Sequence, residues 1–397
     1  MTEPRLLTLC IGSMLATSSA LAASGNLPSR AEMWQVIQKQ QRQIEQLQTQ
    51  IKQTAANSEA AVEAVEEQAS RERPSLWADR TTLGGYAEAH YNSLDGSGGV
   101  SDKNQIDLHR VVLFLGHEFN DRIRFFSEIE FEHDGEEVEV EQAYVEMDFN
   151  RYISGKAGVF LLPVGILNET HEPNTFYGVE RNPVEKNIIP STWWATGIGA
   201  SGEITQGFSY DLGFHEGLRT SADNSYLPRK GRQNAAEALA KNGALTARLR
   251  WAGMAGLELA GSFQHQTDIT QGRDSDAGSA NLYEAHVAYE KGPFGLRALY
   301  ARWDLDGAGP AAIGADEQYG WYVEPSFKIT DSLGLFARYN RWDNQAGSNS
   351  DSQKAQWNIG FNWWPHEQVV LKADYQIQDN ENGEEQDGFN LGVGLQF

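Results

Sequence analysis

Long and short connections alternate along this chain from Thr81 to Phe397, and few folds produce such a pattern. Between clusters of Gly, Asn, Asp and Pro, segments recur in which apolar and polar residues alternate, as in half-buried β-strands. About sixteen such strands can be assigned, at about 82–92, 104–119, 122–133, 136–149, 151–161, 193–204, 206–216, 243–252, 254–267, 280–290, 293–304, 317–329, 332–343, 353–364, 367–379 and 387–397. The connections that follow even-numbered strands are the short ones.

Strict alternation of long and short connections is typical of closed barrels in the outer membrane. Such barrels have short periplasmic turns at one rim and longer loops at the other. A soluble β-sandwich or propeller has no reason to sort its loops in this way. The chain is therefore predicted to be all-β, a transmembrane antiparallel β-barrel of about sixteen strands, with both ends of the barrel at the short-turn rim.

The composition agrees with a barrel. Mean hydropathy is −0.52, and 40% of the residues are hydrophobic. No stretch after the N-terminus approaches the roughly 18 to 20 apolar residues of a membrane-spanning helix, which excludes a helical membrane protein. Barrel strands average out polar because every second residue faces water.

The final segment, GFNLGVGLQF, places its apolar side chains on one face and ends on Phe397. If this strand pairs with the first one, the sheet closes without an edge, and Phe397 becomes an aromatic anchor at the membrane rim. A terminal strand of this kind resembles the signal recognised by the barrel assembly machinery. That machinery and the lipids of the outer membrane are therefore expected partners.

Three N-terminal segments precede the barrel at 81–397. Residues 1–22 are typical of a secretory signal peptide, because an early Arg5 and an apolar run precede the small-residue site Ala20-Leu21-Ala22. Residues 23–70 are predicted to form a helical coiled coil in the periplasm, because apolar and Gln residues follow heptad spacing at Met33, Ile37, Gln40, Ile44, Leu47 and Ile51. A single amphipathic helix is the alternative, and residues 71–80 are predicted to be a linker.

Three stretches carry a family resemblance: LHRVVLFLGHEFNDRIRFFSEIEFEH from Leu108, VEQAYVEMDF from Val140, and AGVFLLPVGILNETHEPNTFYGVERNPVEKNIIPSTWW from Ala157. They resemble porins of the phosphate-selective porin O and P type. The resemblance implies a sixteen-stranded homotrimer whose third outer loop, here at about 162–192, folds into the barrel.

That loop mixes charged residues with Phe176, Tyr177, Ile188 and Ile189, and is too apolar to lie free on the surface. It is predicted to form a pore constriction, with Asn168, Glu169, His171, Glu172, Arg181 and Lys186 as the candidate residues. The alternative is a latch that holds the neighbouring subunit. The adjacent pair His171-Glu172 has no further ligands at metal-site spacing, so neither a metal nor a cofactor is expected.

Charge opposes the phosphate selectivity implied by the resemblance, because the formal net charge is −23. An anion pathway requires a series of guanidinium groups on the pore wall. The residues expected on that wall include Arg122, Arg124, Glu128, Lys156, Arg248 and Arg250, with Arg297, Arg338 and Lys372 as further cations. The alternative is that these charges only line a wet lumen and hold one another in place.

These patterns predict an outer-membrane porin, a water-filled channel for passive diffusion of small hydrophilic solutes and ions. An anion- or phosphate-selective porin is one alternative, and a structural anchor that links the outer membrane to the cell wall is another. An enzyme is not expected, since the sequence has no Gly-x-Ser-x-Gly and no separate domain to hold a site. The acidity also opposes binding to nucleic acid.

Overall fold

The computed structural model describes residues 77–135 and 137–397 and, near the N-terminus, Lys39, Ile44, residues 46–49 and Lys52. The chain divides into two units, Met1–Leu76 and Trp77–Phe397. In the first unit the described residues are helical and exposed. The predicted signal peptide, most of the predicted coiled coil and residues 71–76 of the predicted linker lie outside the described residues. No helix among the described residues is long and apolar enough to cross a membrane.

The second unit is a closed barrel of sixteen antiparallel strands, as the sequence predicts. The strands are β1 Thr81–Ser97, β2 Lys103–Glu118, β3 Ile123–Glu132, β4 Glu137–Asn150, β5 Ile153–Leu161, β6 Trp194–Thr205, β7 Phe208–His215, β8 Ala244–Met254, β9 Leu257–Gln266, β10 Ala280–Lys291, β11 Phe294–Leu305, β12 Glu317–Thr330, β13 Leu333–Asp343, β14 Lys354–His366, β15 Val369–Asn380 and β16 Glu385–Gln396. A 3₁₀ turn, Trp77–Arg80, precedes β1.

The last strand closes the barrel onto the first one. Pairing of β1 with β16 runs from Tyr86↔Gln396 to Ser97↔Glu385. Beyond the strand, the Phe397 amide donates to the Gly85 carbonyl at 2.9 Å, and the Gly85 amide donates back at 3.0 Å. The predicted closure is confirmed, and all strand edges in the barrel are paired.

The connections alternate as the sequence predicts. The longer ones gather at one rim, the loop end, and comprise residues 98–102, 133–136, 162–193, 216–243, 267–279, 306–316, 344–353 and 381–384. The opposite rim, the turn end, has connections of two to four residues. Exposed aromatic residues gather beside these turns, as in the aromatic girdle of a membrane barrel: Phe119, Phe149, Phe208, Phe294, Phe327, Trp363 and Phe397.

Two β-bulges change which side chains face the interior. The register of β1 with β2 shifts between Glu88 and His90, so His109 and Arg110 are consecutive residues that both face inward. The register of β3 with β4 shifts between Glu128 and Ile129, with the same effect at Glu141 and Gln142. Bulges insert an extra residue and re-aim side chains, and here they bring additional charged groups into the lumen.

Candidate functional site

Residues 162–193, between β5 and β6, form a loop that lies inside the barrel and is called here the inserted loop. Asn168 joins the two ends of this loop, Leu162 and Trp193, which are called here its neck. The Asn168 side-chain amide donates to the carbonyl oxygens of Leu162 and Trp193 at 2.8 and 2.9 Å, and its Oδ1 accepts from the Trp193 amide at 2.7 Å. Asn168 is fully buried. This candidate constriction residue therefore holds the two ends of the loop together and does not face the lumen.

The apolar side of the inserted loop packs against the barrel wall. Val184, Ile188 and Ile189 join a buried cluster that includes Trp303 of β11 and Tyr322 of β12. The Trp303 indole also donates to the Ile188 carbonyl at 2.9 Å. This packing explains why the loop carries more apolar side chains than a surface loop would.

Glu185 is a buried carboxylate that supports the loop from within. Its Oε2 accepts from the backbone amides of Ile166 and Leu167, and its Oε1 accepts from Asn182 and from the Tyr322 hydroxyl. Burial raises the pKa of Glu185 above its usual value, although these donors oppose that shift. The dense hydrogen bonding indicates a structural role for Glu185.

Wall arginines bind the backbone of the inserted loop. Arg110 of β2 donates to the His171 carbonyl at 3.1 Å, and Arg297 of β11 donates to the Thr175 carbonyl at 2.7 Å. Arg338 of β13 donates to the Tyr177 and Glu180 carbonyls at 3.1 and 3.4 Å. Arg297 and Arg338, which the sequence suggests as cations for an anion pathway, are therefore engaged with the loop.

Loop 216–243 contacts the inserted loop in the same way. Arg229 donates to the Ser191 carbonyl at 2.6 Å, and Arg232 donates to the Thr192 carbonyl. Arg181 of the inserted loop donates to the Thr192 hydroxyl at 2.7 Å. All three guanidinium groups also line a cavity at the loop end of the barrel, so they both hold the loop and face water.

The other candidate residues of the inserted loop have separate surroundings. Glu169 forms an ion pair with Arg248 of β8. His171 is buried beside Glu128 of β3, and its Nε2 lies 3.4 Å from the Glu128 Oε1. Half-buried Glu172 accepts hydrogen bonds from Thr175 through its backbone carbonyl, and exposed Lys186 lines the loop-end cavity. The six candidates are therefore distributed along the loop and do not form one cluster.

Of the cations predicted on the pore wall, Arg122 lies one residue outside the strand that holds Arg124. The sequence predicts it at the start of a strand, but β3 begins at Ile123, and Arg122 lies exposed in the preceding turn. Asn120 caps this turn, with its Oδ1 accepting from the amides of Arg122 and Ile123. The place of Arg122 on the pore wall stays a prediction.

The remaining wall cations face inward but have partners. Arg124 pairs with Glu146 and Asp148 at 2.9 and 2.5 Å. Buried Arg248 pairs with Asp211 as well as Glu169, and Arg250 donates to Ser209 and lies 3.8 Å from Glu258. The Lys156 ammonium lies 4.5 Å from the centre of the Phe160 ring. The three arginines are thus paired with carboxylates, whereas Lys156 has an aromatic ring as its partner.

Two cavities lie on either side of the inserted loop, and Phe176 lines both. The loop-end cavity, of about 500 Å³, has carboxylates on strands β1 to β4 and basic residues on the two loops. Its acidic residues from the wall are Glu88, Asp107, Glu130, Glu132, Glu137, Glu139 and Glu141, and its basic residues from the loops are Arg181, Lys186, Arg229 and Arg232. The turn-end cavity, of about 460 Å³, is bordered by β8 to β12 and includes Glu258, Arg297 and Lys328.

A family model described as phosphate-selective porin O and P matches residues 82–397, which covers the whole barrel. The chain belongs to this family. It is thus an outer-membrane porin, a channel rather than an enzyme, and the predicted family and function are confirmed.

Two solved porin structures resemble this porin in fold. The outer membrane channel DcaP of Acinetobacter baumannii is 15% identical with a TM-score of 0.58, over 80% of this chain and 97% of that one. An anion-selective porin of Comamonas acidovorans is 12% identical with a TM-score of 0.58, over 80% and 99%. In sequence, an uncharacterized protein of Aquifex aeolicus (strain VF5) is 29% identical over 362 residues, 80% of each chain.

Proposed function

We propose that this porin is a general diffusion channel with a modest preference for cations, whose aperture is set by the inserted loop. The observation that carries the proposal is the engagement of the wall arginines. Buried Arg110, Arg248 and Arg338 are bound by carboxylates and, for Arg110 and Arg338, by loop carbonyls. A guanidinium group with such partners has few free donors to offer a passing anion.

Carboxylates dominate the wall of the loop-end cavity, and this supports a preference for cations. Charges that line a narrow passage act on a permeating ion with little screening, whereas charges more than about 8 Å away in open solvent are largely screened at physiological salt. The neighbouring arginines of the two loops weaken the preference, because they place positive charge in the same cavity. Small hydrophilic solutes and ions of either sign are therefore expected to pass.

Reversal potentials in a potassium chloride gradient across a planar bilayer test this proposal. The wild type is expected to be weakly cation-selective, and the double variant Glu132→Gln with Glu139→Gln is expected to shift toward anions. Arg273→Gln is a matched control, because Arg273 pairs with Asp223 on exposed loops and does not line the loop-end cavity. Strong anion selectivity in the wild type would contradict the proposal.

Anion or phosphate selectivity is the second candidate function, and the four basic residues that the two loops contribute to the loop-end cavity favour it. If these residues bind anions, millimolar phosphate should block chloride current, and Arg229→Gln with Arg232→Gln should abolish the block. This function would be excluded if phosphate did not block the wild type and if the double variant kept the wild-type ion selectivity. A structural anchor to the cell wall would depend on the N-terminal segment, most of which lies outside the described residues.

We further propose that the porin is a homotrimer with its N-terminal segment in the periplasm. The family resemblance and the heptad spacing of residues 33–51 support this arrangement, and in vitro folded OmpT of Vibrio cholerae, which has a similar fold, is described in a trimer form. Native mass spectrometry in detergent should give a trimer. A chain that stays monomeric with residues 23–80 present would contradict it.

Phe397 is proposed as the recognition signal for the barrel assembly machinery. Its side chain is exposed at the turn end while its backbone pairs with Gly85. Phe397→Asp is expected to prevent most of the chain from reaching the outer membrane. Phe389→Asp, on an exposed lipid-facing position of the same strand, is the comparison that separates loss of the signal from general damage to β16. Wild-type amounts of folded Phe397→Asp protein would refute the role.

A further inference from the structure

Four carboxylates are buried together where β1, β3 and β4 meet the inserted loop. Glu88, Glu128, Glu130 and Glu141 are each at most 3% exposed. The one guanidinium group among them, that of Arg110, lies 2.5 Å from Glu88 and 3.5 Å from Glu130. Buried charges require compensation by opposite charge or by hydrogen bonds. Arg110 pairs with neither Glu128 nor Glu141, and Gln142 satisfies only the Glu128 Oε2, at 2.7 Å.

The unsatisfied atoms of this cluster point at one another. Among the described residues, the Glu128 Oε1, both Glu141 oxygens and the His171 Nε2 are buried without a hydrogen bond of acceptable geometry. The His171 Nε2 lies 3.4 Å from the Glu128 Oε1 and 3.3 Å from the Glu141 Oε2. Groups left unsatisfied in this way indicate an ion or a water that completes the site.

These separations match the edges of a metal coordination tetrahedron. Zinc bonds of about 2.0 to 2.1 Å place neighbouring ligand atoms about 3.3 to 3.4 Å apart. The ligand atoms of Glu128, Glu141 and His171 all lie within 4.8 Å of one another. A small shift of each side chain toward the centre would therefore bring all three within bonding distance.

The second ring nitrogen of His171 is arranged as in a metal ligand. The His171 Nδ1 lies 3.2 Å from the Asn168 carbonyl oxygen, which can only accept a hydrogen bond. Donation from Nδ1 fixes the tautomer that leaves a lone pair on Nε2, and metal-bound histidines are commonly held by such a contact. The neck residue Asn168 thus also orients the proposed ligand.

We infer that Glu128, Glu141 and His171 bind a divalent transition-metal ion of the zinc class, with water as the remaining ligand. Mixed imidazole and carboxylate ligands suit Zn²⁺, and Glu141 borders the loop-end cavity from which an ion and water can enter. The ion would tie the inserted loop to β3 and β4. The sequence around His171 shows no metal-ligand spacing, because Glu128 and Glu141 come from the distant strands β3 and β4.

A doubly protonated His171 is the competing explanation. Burial lowers the pKa of His171, but the adjacent Glu128 and Glu141 outweigh this effect and raise it well above its usual value. An imidazolium would pair with both carboxylates and would need no metal. The two explanations differ in metal content and in the response to a chelator.

Cobalt(II) titration of the folded, chelator-stripped porin in detergent distinguishes them. The wild type is expected to take up one equivalent in this site and to show the intense visible bands of tetrahedral cobalt, and zinc should displace the cobalt. His171→Gln is expected to weaken binding by at least about tenfold, the scale of loss seen for the partners of metal ligands. Glu128→Gln provides a second test if His171→Gln does not fold.

A second histidine group in the same cavity supplies the control. Asp107, His109 and His133 also lie within 4.8 Å of one another and are more exposed. His133→Ala should leave the visible bands of tetrahedral cobalt intact. The inference is overturned if the wild type binds no cobalt in a tetrahedral site, or if the bands survive in His171→Gln and disappear in His133→Ala.

Discussion

Two parts of the barrel wall hold the inserted loop by different means. The packing wall, strands β11 to β13, presents Trp303, Tyr322 and Trp342 to the apolar side of the loop. The bulged wall, strands β1 to β4, presents buried carboxylates and Arg110. Apolar contacts tolerate small displacements, whereas buried charges require each partner in place. The comparison teaches that the bulged wall depends on charge balance, whereas the packing wall combines apolar contacts with the loop-carbonyl hydrogen bonds of Arg297 and Arg338.

The largest expected effect comes from breaking the charge balance of the bulged wall. Arg110→Met leaves Glu130 without its ion pair, leaves Glu88 with only His90, and removes the contact with the His171 carbonyl. Loss of one partner from a buried ion pair typically costs about 3 to 5 kcal/mol. The free energy of unfolding in urea should fall by this amount, and the conductance should become noisier as the loop loosens.

Arg124→Met is the matched control for that variant. Arg124 also pairs with two carboxylates, Glu146 and Asp148, but it is 40% exposed. Exposed ion pairs contribute about 0 to 1 kcal/mol to stability. The free energy of unfolding of Arg124→Met should therefore stay close to that of the wild type. Equal losses of unfolding free energy in Arg110→Met and Arg124→Met would mean that a buried ion pair of the bulged wall contributes no more than an exposed one.

The second-largest loss of stability is expected at the packing wall. Trp303→Ala removes a fully buried indole and its hydrogen bond to the Ile188 carbonyl. A loss of about 3 kcal/mol is expected from the cavity that remains. Trp357→Ala, at a lipid-facing position that is 45% exposed, should cost clearly less. If the two losses were alike, packing of the loop against β11 would not contribute to stability.

The smallest effect tests Glu185, a buried carboxylate of the inserted loop that the packing wall satisfies through the Tyr322 hydroxyl. Tyr322→Phe removes one of the hydrogen bonds to Glu185 and keeps the ring in place. A loss of about 1 to 2 kcal/mol is expected, since the acceptor keeps its remaining donors. Single-channel conductance should stay at the wild-type value. A loss as large as that of Arg110→Met would remove the distinction between the two walls.

Much of the barrel could be predicted from the sequence, because side chains that alternate between lipid and water leave a period of two in every strand. Strict alternation does not predict the two β-bulges, although the sequence contains a feature that indicates them. His109-Arg110 and Glu141-Gln142 are adjacent polar pairs that interrupt the alternation of β2 and β4. For this reason Arg110 and Glu141 are absent from the wall residues predicted by sequence.

The hydrogen-bond partners of the predicted wall residues could not be predicted from the sequence, for a different reason. Alternation places Arg338 on the inner face of β13 correctly, but its partners are carbonyl oxygens of the inserted loop, 158 and 161 residues earlier. Backbone carbonyls are present at every position and leave no mark in the sequence. A side chain that binds loop backbone therefore looks the same in a sequence as one that faces the lumen.

Pairing of β1 with β16 imposes an order of events on the folding of this porin. The side chains of Asn92 and Asn390 form a hydrogen bond across 298 residues of chain. Contacts so distant in sequence form slowly, because the intervening chain loses much freedom when its ends meet. Until β1 and β16 pair, both strands have an open edge. The wall around the inserted loop is therefore complete only when the two ends of the barrel meet.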